Sequence, residues 1–522
     1  MNQSMKPQFL SLAGDLHAYI LTFLSYQDIL RCASVCTGLR QMYLSSSELQ
    51  YIVELGGQQL LPVNLQPGVD DHIPISERLQ LLRDKAHAWF KFNTRPVQTV
   101  IVPKIFYSDK AFVSNGHLCL CDTENLSGFA KIFPIAPEPS QQAIDREWSS
   151  ESLSSLPNTQ NIDVLMDPEQ NLIAAAYDVI GGSYIDLLAL DGDGVHPQAA
   201  GRRLIMSPEL LGRQNMDFQA LDSDSDKNWR LESLGRHIAL WRHESPRGEP
   251  DRLLWWLQIW DWQYSTMSNC VLSGTVFDAE QFDGLIDFCF LGSNRLLIVM
   301  NDNLKVYSIE DMSQAPELLA CFLFPAQVQF IRCFPSKINL NLARTQRTMW
   351  TSDPAHRLLS LLTYSSEALF HFVISASIFF QLDLFEGMTT AVPWKHWGPL
   401  NSRVFQDNEM FGFGLGGSRV FKAIPSIIER SYSDLVEYRL HMMDFSPLAV
   451  KHQQGLGQVV REPSTIDLEG ELVTTSLPYV EVVSDTKSSH EPTPIWVDKN
   501  RIYVLQSDTA SADSFLSQGS PS

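Results

Sequence analysis

Over residues 97–506 the sequence repeats one short unit, in which an apolar strand, a polar turn and a second apolar strand follow one another. Copies lie at residues 162–174, 286–299 and 494–505, and β-branched and aromatic residues are frequent in them. Turn residues separate the runs, and helical periods are scarce. A chain of repeated short strands predicts a β-propeller, in which each blade buries its faces against its neighbours.

The length of this region sets the expected number of blades. A propeller blade takes about 40–45 residues, so residues 97–507 predict a degenerate propeller of about seven or eight blades with insertions. The polar stretches at residues 222–226 and 242–251 are the expected insertions. Two β-sandwich domains would show the same alternation of strands and turns, and the sequence leaves that alternative open.

The bulk composition limits the class of protein. At 522 residues and 59.0 kDa, the chain is expected to form a large domain and at least one smaller one. A net charge of −21 argues against nucleic acid and anionic membranes as partners, because such a field repels phosphate groups. The eight cysteines contain no C-x-x-C pair, and no signal-peptide pattern is present. We therefore expect a protein of the cytoplasm or nucleus, where thiols stay reduced.

Before residue 97 the apolar spacing changes to that of helices. Leu16, Ile20, Phe23 and Leu24 fall on one face of a predicted helix that Asp15 is placed to cap. Further helices are predicted to begin near Ser25, Leu39, Ser47 and Ser76, and Ser25 and Ser47 carry the spacing of capping boxes. Several short helices enclose little core, so their apolar surface is expected either to face a partner or to cap the rest of the chain. The spacing does not separate these two possibilities.

Residues 9–42, FLSLAGDLHAYILTFLSYQDILRCASVCTGLRQM, resemble the F-box. The positions that match the family pattern are Leu12, Asp15, Leu16, Ile20, Leu24, Asp28, Ile29, Leu30, Val35, Cys36 and Arg40. Ala13 stands where the family has proline, which would fix the entry to the first helix. This departure is expected to loosen the edge of the adaptor contact without abolishing it.

Three later segments extend the resemblance to a large group of fungal F-box proteins. LQYIVELGG at residues 49–57 and ERLQLLRDKAHAWFKF at residues 77–92 resemble the helical linker of that group. The Ile-Trp-Asp-Trp element at residues 259–262 resembles the end of a WD-repeat blade and an element of the same group. The sequence at residues 290–311 is similar to that group as well, whereas the last two hundred residues or so match little.

The resemblance implies an architecture and a function. Residues 5–50 would form the F-box helical domain, residues 51–96 a helical linker and residues 97–507 the propeller-like domain, while the composition of residues 508–522 predicts a disordered tail. The implied function is that of a substrate-recognition subunit of a cullin–RING (SCF-type) ubiquitin ligase, with no cofactor and no catalytic residue of its own. The implied docking surface for a Skp-family adaptor consists of Leu12, Leu16, Ile20, Leu24, Ile29, Leu30, Val35 and Leu39. An unknown target protein would be held on the β domain.

Catalytic and metal-binding motifs are not evident in the sequence. It has no G-x-S-x-G elbow, Walker loop or H-E-x-x-H pair. The glycine-rich residues 412–417 are interpreted as a turn, and His117, Cys119 and Cys121 as one buried face of a strand. Four tryptophans, Trp255, Trp256, Trp260 and Trp262, are predicted to pack between blades.

Two alternative functions remain open, and five arginines need an interpretation. A propeller scaffold without any link to ubiquitin would use the helices only as a cap. A propeller hydrolase would need clustered carboxylates, histidines or metal ligands in its central channel, and the sequence places no such set. Arg202, Arg203, Arg236, Arg242 and Arg247 are interpreted as solvated loop charges.

Overall fold

The computed structural model describes the chain in the following ranges: residues 12–63, 73–91, 98–101, 111–122, 129–136, 143–179, 182–207, 229–244, 252–277, 286–328, 330–335, 349–364, 368–385, 391–407, 412–426, 437–451, 457–488, 494–498, 501–506 and 514–519. The predicted insertion at residues 222–226 and part of that at residues 242–251 lie outside these ranges, as do residues 5–11 of the predicted F-box segment.

Within these ranges, five helices precede the β domain: α1 (Gly14–Leu21), α2 (Tyr26–Val35), α3 (Thr37–Ser45), α4 (Ser47–Gly57) and α5 (Ile75–Lys91). Ser25 caps α2 as predicted, because its hydroxyl oxygen accepts a 3.2 Å hydrogen bond from the Asp28 N–H group. The cap of α4 is Ser46 instead of Ser47, whose backbone is already helical. The prediction for Asp15 is wrong, since it lies inside the first turn of α1, where its charge complements the helix dipole.

The first three helices and α4 share a small core of their own. Leu21, Ile29, Leu39, Leu49 and Val53 are its buried members. α1 packs against α3, and α2 packs against both α3 and α4. We call α1–α4 the helical module. It has a core of its own, and part of its apolar surface stays exposed.

The β domain consists of antiparallel sheets whose strands follow one another along the chain. The first sheet contains β3 (Ala111–Ser114), β4 (His117–Asp122), β5 (Phe129–Pro134) and β6 (Arg146–Ser149); the second contains β7 (Gln160–Asp167), β8 (Leu172–Val179), β9 (Gly182–Ala189) and β10 (Arg203–Ile205). The third contains β11 (Trp229–Leu234), β12 (His237–Glu244), β13 (Arg252–Asp261) and β14 (Val271–Phe277); the fourth contains β15 (Ile286–Gly292), β16 (Arg295–Met300), β17 (Asn303–Ser308) and β18 (Glu317–Leu323).

The remaining large sheets are less regular. The fifth contains β19 (Phe330–Pro335), β21 (Leu358–Tyr364), β22 (Leu369–Ser375) and β23 (Ser402–Asp407). The sixth has five strands, in the order β24 (Phe413–Gly416), β25 (Arg419–Ser426), β26 (Glu437–Asp444), β30 (Tyr479–Ser488) and β27 (Gln458–Val460). The last sheet contains β31 (Ile495–Asp498), β32 (Arg501–Gln506), β33 (Ser514–Gly519) and, from the start of the domain, β2 (Gln98–Ile101).

Short strand pairs and short helices accompany the large sheets. Two strand pairs lie outside them, β1 (Leu60–Pro62) with β20 (Trp350–Ser352) and β28 (Ser464–Leu468) with β29 (Glu471–Thr475). Helical insertions in the described part of the β domain are α6 (Ser150–Leu153), α7 (Trp394–Asn401), α8 (Pro447–Lys451) and the 3-10 helices Pro354–His356, Ala376–Phe379 and Leu382–Phe385.

The sheets form a closed ring through their inner strands. β7 packs on β11, β11 on β15, β15 on β19, β24 on β31 and β31 on β3, while contacts of β4 with β7 and of β21 with β24 complete the circle. The pairing of β2 with β33 joins the first and last strands of the domain. A closed ring of sheets confirms the predicted β-propeller and differs from two β-sandwiches. In the described ranges six sheets have the four strands of a regular blade and the other large sheet has five, so the number of regular blades differs from the predicted seven or eight.

The end of the chain differs from the disordered tail expected at residues 508–522. β33 lies between β32 and β2, and its backbone hydrogen-bonds to both strands. Backbone pairing of this kind does not require apolar side chains, so the polar composition gave a wrong prediction for residues 514–519. Residues 508–513 and 520–522 lie outside the described ranges.

Three carboxylates, one buried and two half-buried, connect neighbouring sheets of the ring. Asp163, Asp287 and Asp498 accept hydrogen bonds from the N–H groups of Leu231, Cys333 and Gly116, respectively, each in the next sheet of the ring. Asp287 has a second role, because its other oxygen pairs with the Arg230 guanidinium. Each carboxylate satisfies a backbone donor that the gap between sheets would otherwise leave without a partner.

We expect Asp287→Ala to lower the free energy of unfolding by about 2–4 kcal/mol, because it leaves the Cys333 N–H group without its acceptor and removes one of the two carboxylates that pair with the Arg230 guanidinium. Urea denaturation followed by tryptophan fluorescence measures this change. Asp311→Ala is the matched control, because Asp311 is exposed and bonds only within its own turn. Equal effects of the two substitutions would contradict a linking role for Asp287.

Candidate functional site

Helix α1 presents a continuous apolar face to solvent. Leu16, Tyr19 and Ile20 lie on one side of the helix, and this exposed apolar surface continues with Leu12 just before the helix and Phe23 just after it. Leu16 is 51% exposed and Phe23 is 72% exposed. The rings of Tyr19 and Phe23 meet edge to face with centroids 5.0 Å apart. We refer to these five residues as the α1 face.

Two other residues of α1 hold it on the helical module. His17 and Leu21 are buried, one turn apart, on the side that packs towards α3. Because one side of α1 is already buried, the α1 face has no role in closing the core of the module. An exposed apolar face of this size on a helix is typical of a surface that binds another protein.

The structure separates the eight predicted docking residues into three groups. Leu12, Leu16, Ile20 and Val35 are exposed, Leu24 and Leu30 are half-buried, and Ile29 and Leu39 are buried. Ile29 and Leu39 belong to the core of the helical module, so they support the surface from beneath and do not form it. Their placement on the surface was wrong, because the family pattern does not distinguish core positions from contact positions. The docking role of the others stays a prediction.

Sequence reasoning left three exposed apolar residues out of the docking set. Tyr19, Phe23 and Leu44 are all more exposed than Leu16. Phe23 was already on the predicted apolar stripe, and Tyr19 lies three residues after Leu16, so helical spacing could have found both. Leu44 lies on α3, and only the packing of the helices shows that it is outside.

A charged group is fixed at the start of α2. Asp28 pairs with Arg31 at 2.7 Å and accepts a hydrogen bond from the Ser25 hydroxyl at 2.8 Å. The Ser25 bond and the Arg31 guanidinium lower the pKa of the Asp28 carboxyl. Both contacts favour the charged form of the carboxylate at the start of α2.

Glycines allow close packing where α4 meets its neighbours. A Cβ atom at Gly56 would lie 2.5 Å from the Tyr26 ring, and one at Gly57 would lie 3.0 Å from Leu448 of α8. The first contact joins α4 to α2, and the second joins α4 to the five-stranded sheet region. The helical module and the β domain therefore meet through α4.

We expect Gly56→Ala to destabilise the helical module by about 1–3 kcal/mol, because the new methyl group would overlap the Tyr26 ring. Hydrogen–deuterium exchange of α2 and α4 measures the effect locally. Gly14→Ala is the matched control, since no atom lies within 4 Å of a Cβ built there. Unchanged protection in Gly56→Ala would show that the contact with Tyr26 is not tight.

The last linker helix is anchored on the β domain by an aromatic and ionic joint. Trp89 of α5 is buried against Phe421, with ring centroids 5.8 Å apart. Arg419 lies over the Trp89 ring at 5.1 Å and pairs with Asp444 at 2.8 Å. Stacking on the indole and pairing with a buried carboxylate fix the guanidinium in place.

A second anchor lies on the neighbouring sheet. β1, which follows α4, pairs antiparallel with β20 of the connection between β19 and β21. Lys85 of α5 lies 5.5 Å above the Trp350 ring of β20. With anchors on two sheets, the linker has little freedom to rotate about either one.

Charged side chains of the inner strands β11 and β15 cluster around Asp287. Arg230 pairs with Asp287 and, at 3.5 Å, with Glu232. Burial raises the pKa of Glu232 to about 7 although Arg230 opposes this shift. Both oxygens of Asp287 are engaged, by Arg230 and the Phe288 N–H group on one side and by the Cys333 N–H group on the other. We interpret the cluster as a structural link between the third, fourth and fifth sheets.

Glu232 is expected to make stability depend on pH. Its pKa is about 7 in the folded chain and about 4.5 when unfolded, so the folded chain binds the proton more tightly. The free energy of unfolding should therefore fall by roughly 1–3 kcal/mol as pH rises from about 4.5 to 7, and level off above that. Glu232→Gln should remove this dependence and be more stable than wild type at pH above about 7.

Urea denaturation across this pH range measures the Glu232 contribution. Glu471→Gln, a change of an exposed side chain on β29, is the control for loss of one charge. A slope with pH that is the same in wild type and Glu232→Gln would show that Glu232 is ionised throughout.

The other candidate sites of the sequence have structural explanations. His117 uses both ring nitrogens, Nδ1 at 2.9 Å from the Asn115 carbonyl oxygen and Nε2 accepting from the Ile144 N–H group at 3.1 Å. Burial lowers the pKa of His117. Cys119 and Cys121 are buried between the first and second sheets. No group of three histidine, cysteine, aspartate or glutamate side chains placed to hold a metal ion occurs in the described ranges.

The glycine-rich segment and the tryptophans belong to the propeller core. A Cβ atom at Gly414 would lie 2.7 Å from Ile495 of β31, so glycine is needed for close approach of two inner strands. Gly417 lies in the turn after β24 with φ +60°, so the predicted turn is found there, whereas residues 413–416, which were also predicted to be a turn, form β24. Trp260 and Trp262 are fully buried between the second and third sheets, as predicted, and their N–H groups bond to the Ile205 and Gly235 carbonyls.

Two of the five basic residues, Arg203 and Arg242, do not fit the predicted solvated loop charges. Arg203 is half-buried in β10 and pairs with the buried Asp186 carboxylate at 3.1 Å. Arg242 lies in β12 and is buried, with its guanidinium between the rings of Trp229 and Trp256. Cross-strand neighbours on one face of the sheet produce this stack, which a linear sequence does not show. Arg202 and Arg236 are exposed, whereas Arg247 lies outside the described ranges.

Comparison with known proteins adds little to what the structure shows. No family model and no curated protein matches the sequence. The chain is similar to the WD40 domain of Toxoplasma gondii coronin, with a TM-score of 0.36 and 8% identity over 82% of this chain and 88% of that one. The WD40 domain of SCAP from fission yeast gives a TM-score of 0.34 at 8% identity, over 79% and 82% of the two chains. TM-scores this low do not establish a shared fold, so the assignment of a β-propeller rests on the ring of sheets.

Among the helices in the described part of the chain, none has the length and apolar character needed to cross a membrane.

Proposed function

We propose that this chain is an F-box substrate-recognition subunit of a cullin–RING (SCF-type) ubiquitin ligase. In this proposal α1–α3 bind a Skp-family adaptor, and the β-propeller holds the target protein. The observation that carries the proposal is the exposed α1 face on a helical module whose core is complete without it.

The energetics support a partner on the α1 face. Burying an exposed leucine, isoleucine or phenylalanine side chain is worth about 1.5–3 kcal/mol. Leu16, Ile20 and Phe23 together could therefore supply several kcal/mol of binding free energy, while their neighbours exclude water around them. The F-box pattern in the sequence is what identifies a Skp-family adaptor as the partner.

The joint between the helices and the propeller supports the mechanism. A ubiquitin ligase of this class works by holding a target close to a charged conjugating enzyme, which raises the effective concentration of the reacting groups. The Trp89 joint and the pairing of β1 with β20 limit movement between the two parts of the chain. Ubiquitin would pass to the target without any catalytic residue of this chain.

We also infer that the five-stranded sheet acts as a blade. Its inner strand β24 packs on β31, and the neighbouring sheet contacts it through β21. With this sheet included, the ring would have seven blades, within the range that the sequence length suggests.

We expect Leu16→Glu combined with Ile20→Glu to abolish co-purification with a Skp-family adaptor, because both substitutions place charges on the α1 face. Co-expression of the full chain with the adaptor, followed by size-exclusion chromatography, measures the complex. Leu472→Glu is the matched control, since Leu472 is 76% exposed on β29 and lies outside the helical module.

Three outcomes of this experiment have different meanings. A one-to-one complex that the control keeps and the double variant loses supports the proposal. A complex that survives the double variant would place the adaptor elsewhere. A wild-type chain that is folded and forms no complex would leave a β-propeller interaction protein without a ubiquitin role, the alternative function.

A further inference from the structure

A cavity of about 450 Å³ lies where the helices meet the β domain. Its walls come from three parts of the chain, namely α3 and α4 of the helical module, the linker helix α5, and the sixth sheet with α8. Ligand-binding cavities in proteins have volumes of about 300–1,000 Å³, so this one is large enough for a small molecule. A molecule bound there would touch the helical module, the linker and the β domain at once.

Part of the cavity wall is apolar. Phe90 of α5, Leu448 of α8 and Val480 of β30 belong to it. Ala86 of α5 and Ala449 of α8 contribute no more than a methyl group each, which helps to keep the space open. Protein interiors are otherwise packed as densely as organic crystals, and open space between packed elements forfeits contacts. A ligand with an apolar body would recover these contacts.

The polar part of the wall offers hydrogen-bond donors. Among the described residues, Arg83 of α5 donates through Nε to Glu54 at 3.4 Å and through Nη2 to the Gln50 side chain at 3.0 Å, which leaves other N–H groups of its guanidinium for a ligand. Burial raises the pKa of the Tyr43 hydroxyl, which therefore stays protonated as a second donor. Both oxygens of Glu54 are already bonded, to Arg83 and to Gln58. The wall is thus better matched to a ligand that accepts hydrogen bonds than to one that donates them.

The charged side chains of the lining are mostly paired with one another. In the described part of the chain, Glu54 pairs with Arg83 at 3.4 Å, and Asp444 pairs with Arg419 at 2.8 Å. The remaining charged residue of the lining, Asp84, is exposed, so solvent screens its charge. A charged ligand would have to separate one of these pairs or remain without a partner of its own.

Charges that adjoin the lining do not favour an ion of either sign. The adjoining charged residues are Lys85, Lys91, Lys451 and Glu481. Lys85 lies over the Trp350 ring, Glu481 lies 2.8 Å from a ring nitrogen of His441, and the other two are exposed. Together with the lining, this region holds five cationic side chains and four carboxylates, a difference of one. Charge therefore gives an ionic ligand little advantage over a neutral one.

We propose that this cavity binds an uncharged small molecule that has an apolar body and carries an oxygen acceptor such as a carbonyl group. The body would pack on Phe90, Leu448 and Val480, and the oxygen would accept hydrogen bonds from Arg83 and Tyr43. This inference does not depend on the ligase assignment, because the walls of the cavity are the same whatever binds the α1 face. In a ligase subunit, the ligand would stiffen the joint between the adaptor-binding helices and the propeller.

Three aromatic probes of nearly equal size test the proposed ligand class. At neutral pH phenylacetamide is uncharged and carries a carbonyl oxygen, phenylacetate is an anion and phenethylamine is a cation. Saturation-transfer difference NMR with the full-length chain measures the affinity of each probe. We expect phenylacetamide to bind about tenfold more tightly than either ion, since each ion loses hydration without gaining an unpaired counter-charge.

Variants of α5 locate the bound probe. Ala86→Phe places a ring in the cavity and should weaken phenylacetamide binding about tenfold or more. Glu77→Phe is the matched control, because it adds the same ring at an exposed position in the first turn of α5 and should leave the affinity unchanged. Arg83→Lys keeps a positive charge beside Glu54 but loses the planar set of donors, and should weaken binding about threefold or more.

A folding defect does not remove the test. Thermal unfolding shows whether each variant is folded, and Arg83→Lys adds no volume, so it stays informative where Ala86→Phe unfolds the chain. Co-purification of Ala86→Phe with a Skp-family adaptor reports separately on the ligase assignment, because Ala86 belongs to α5 and not to the α1 face.

The outcomes either support or overturn the proposal. Preferential binding of phenylacetamide that Ala86→Phe and Arg83→Lys weaken, and that Glu77→Phe keeps, supports it. Tighter binding of phenylacetate or phenethylamine would overturn the ligand class. Absence of binding by all three probes, or equal affinity of wild type and a folded Ala86→Phe variant, would overturn the site and leave a solvent-filled cleft.

Discussion

A β-sheet with two apolar faces must cover both of them, and this requirement organises most of the chain. The sheets of the β domain bury residues on both sides, so each one needs a neighbour on its left and right. A ring satisfies every sheet without leaving an outer apolar face. The strand β2, from the start of the domain, completes the last sheet, and the polar bonds from Asp163, Asp287 and Asp498 satisfy backbone groups between sheets.

The helical module differs from the β domain, because it is too small to bury all of its apolar surface. Its core contains five buried side chains, and α1 can turn only one side towards it. His17 and Leu21 occupy that side, so the α1 face remains outside. A fixed joint at Trp89 then sets the direction in which this face points relative to the propeller. Exposure and rigidity together are what the proposed role as a ligase subunit would need.

Sequence patterns predicted elements more reliably than they predicted the environment of single side chains. The strand–turn–strand repeat predicted the propeller, and the Ser25 spacing predicted the α2 cap, because both depend on neighbours in the chain. Ile29 and Leu39 were placed on the docking surface, although they are core residues. Arg242 was placed in solvent, although two tryptophans enclose it. Both errors arise because burial depends on residues that are far apart in sequence.

The sequence by itself determined the change from helices to repeated strands, the acidic charge and the apolar stripe that includes Leu16 and Ile20. These features follow from local spacing and composition. Only the tertiary structure decided which side of α1 is buried, that β33 completes a sheet, and that Arg242 lies between two tryptophan rings. The physical reason is that packing and backbone pairing between distant segments select one arrangement among several that local propensities allow.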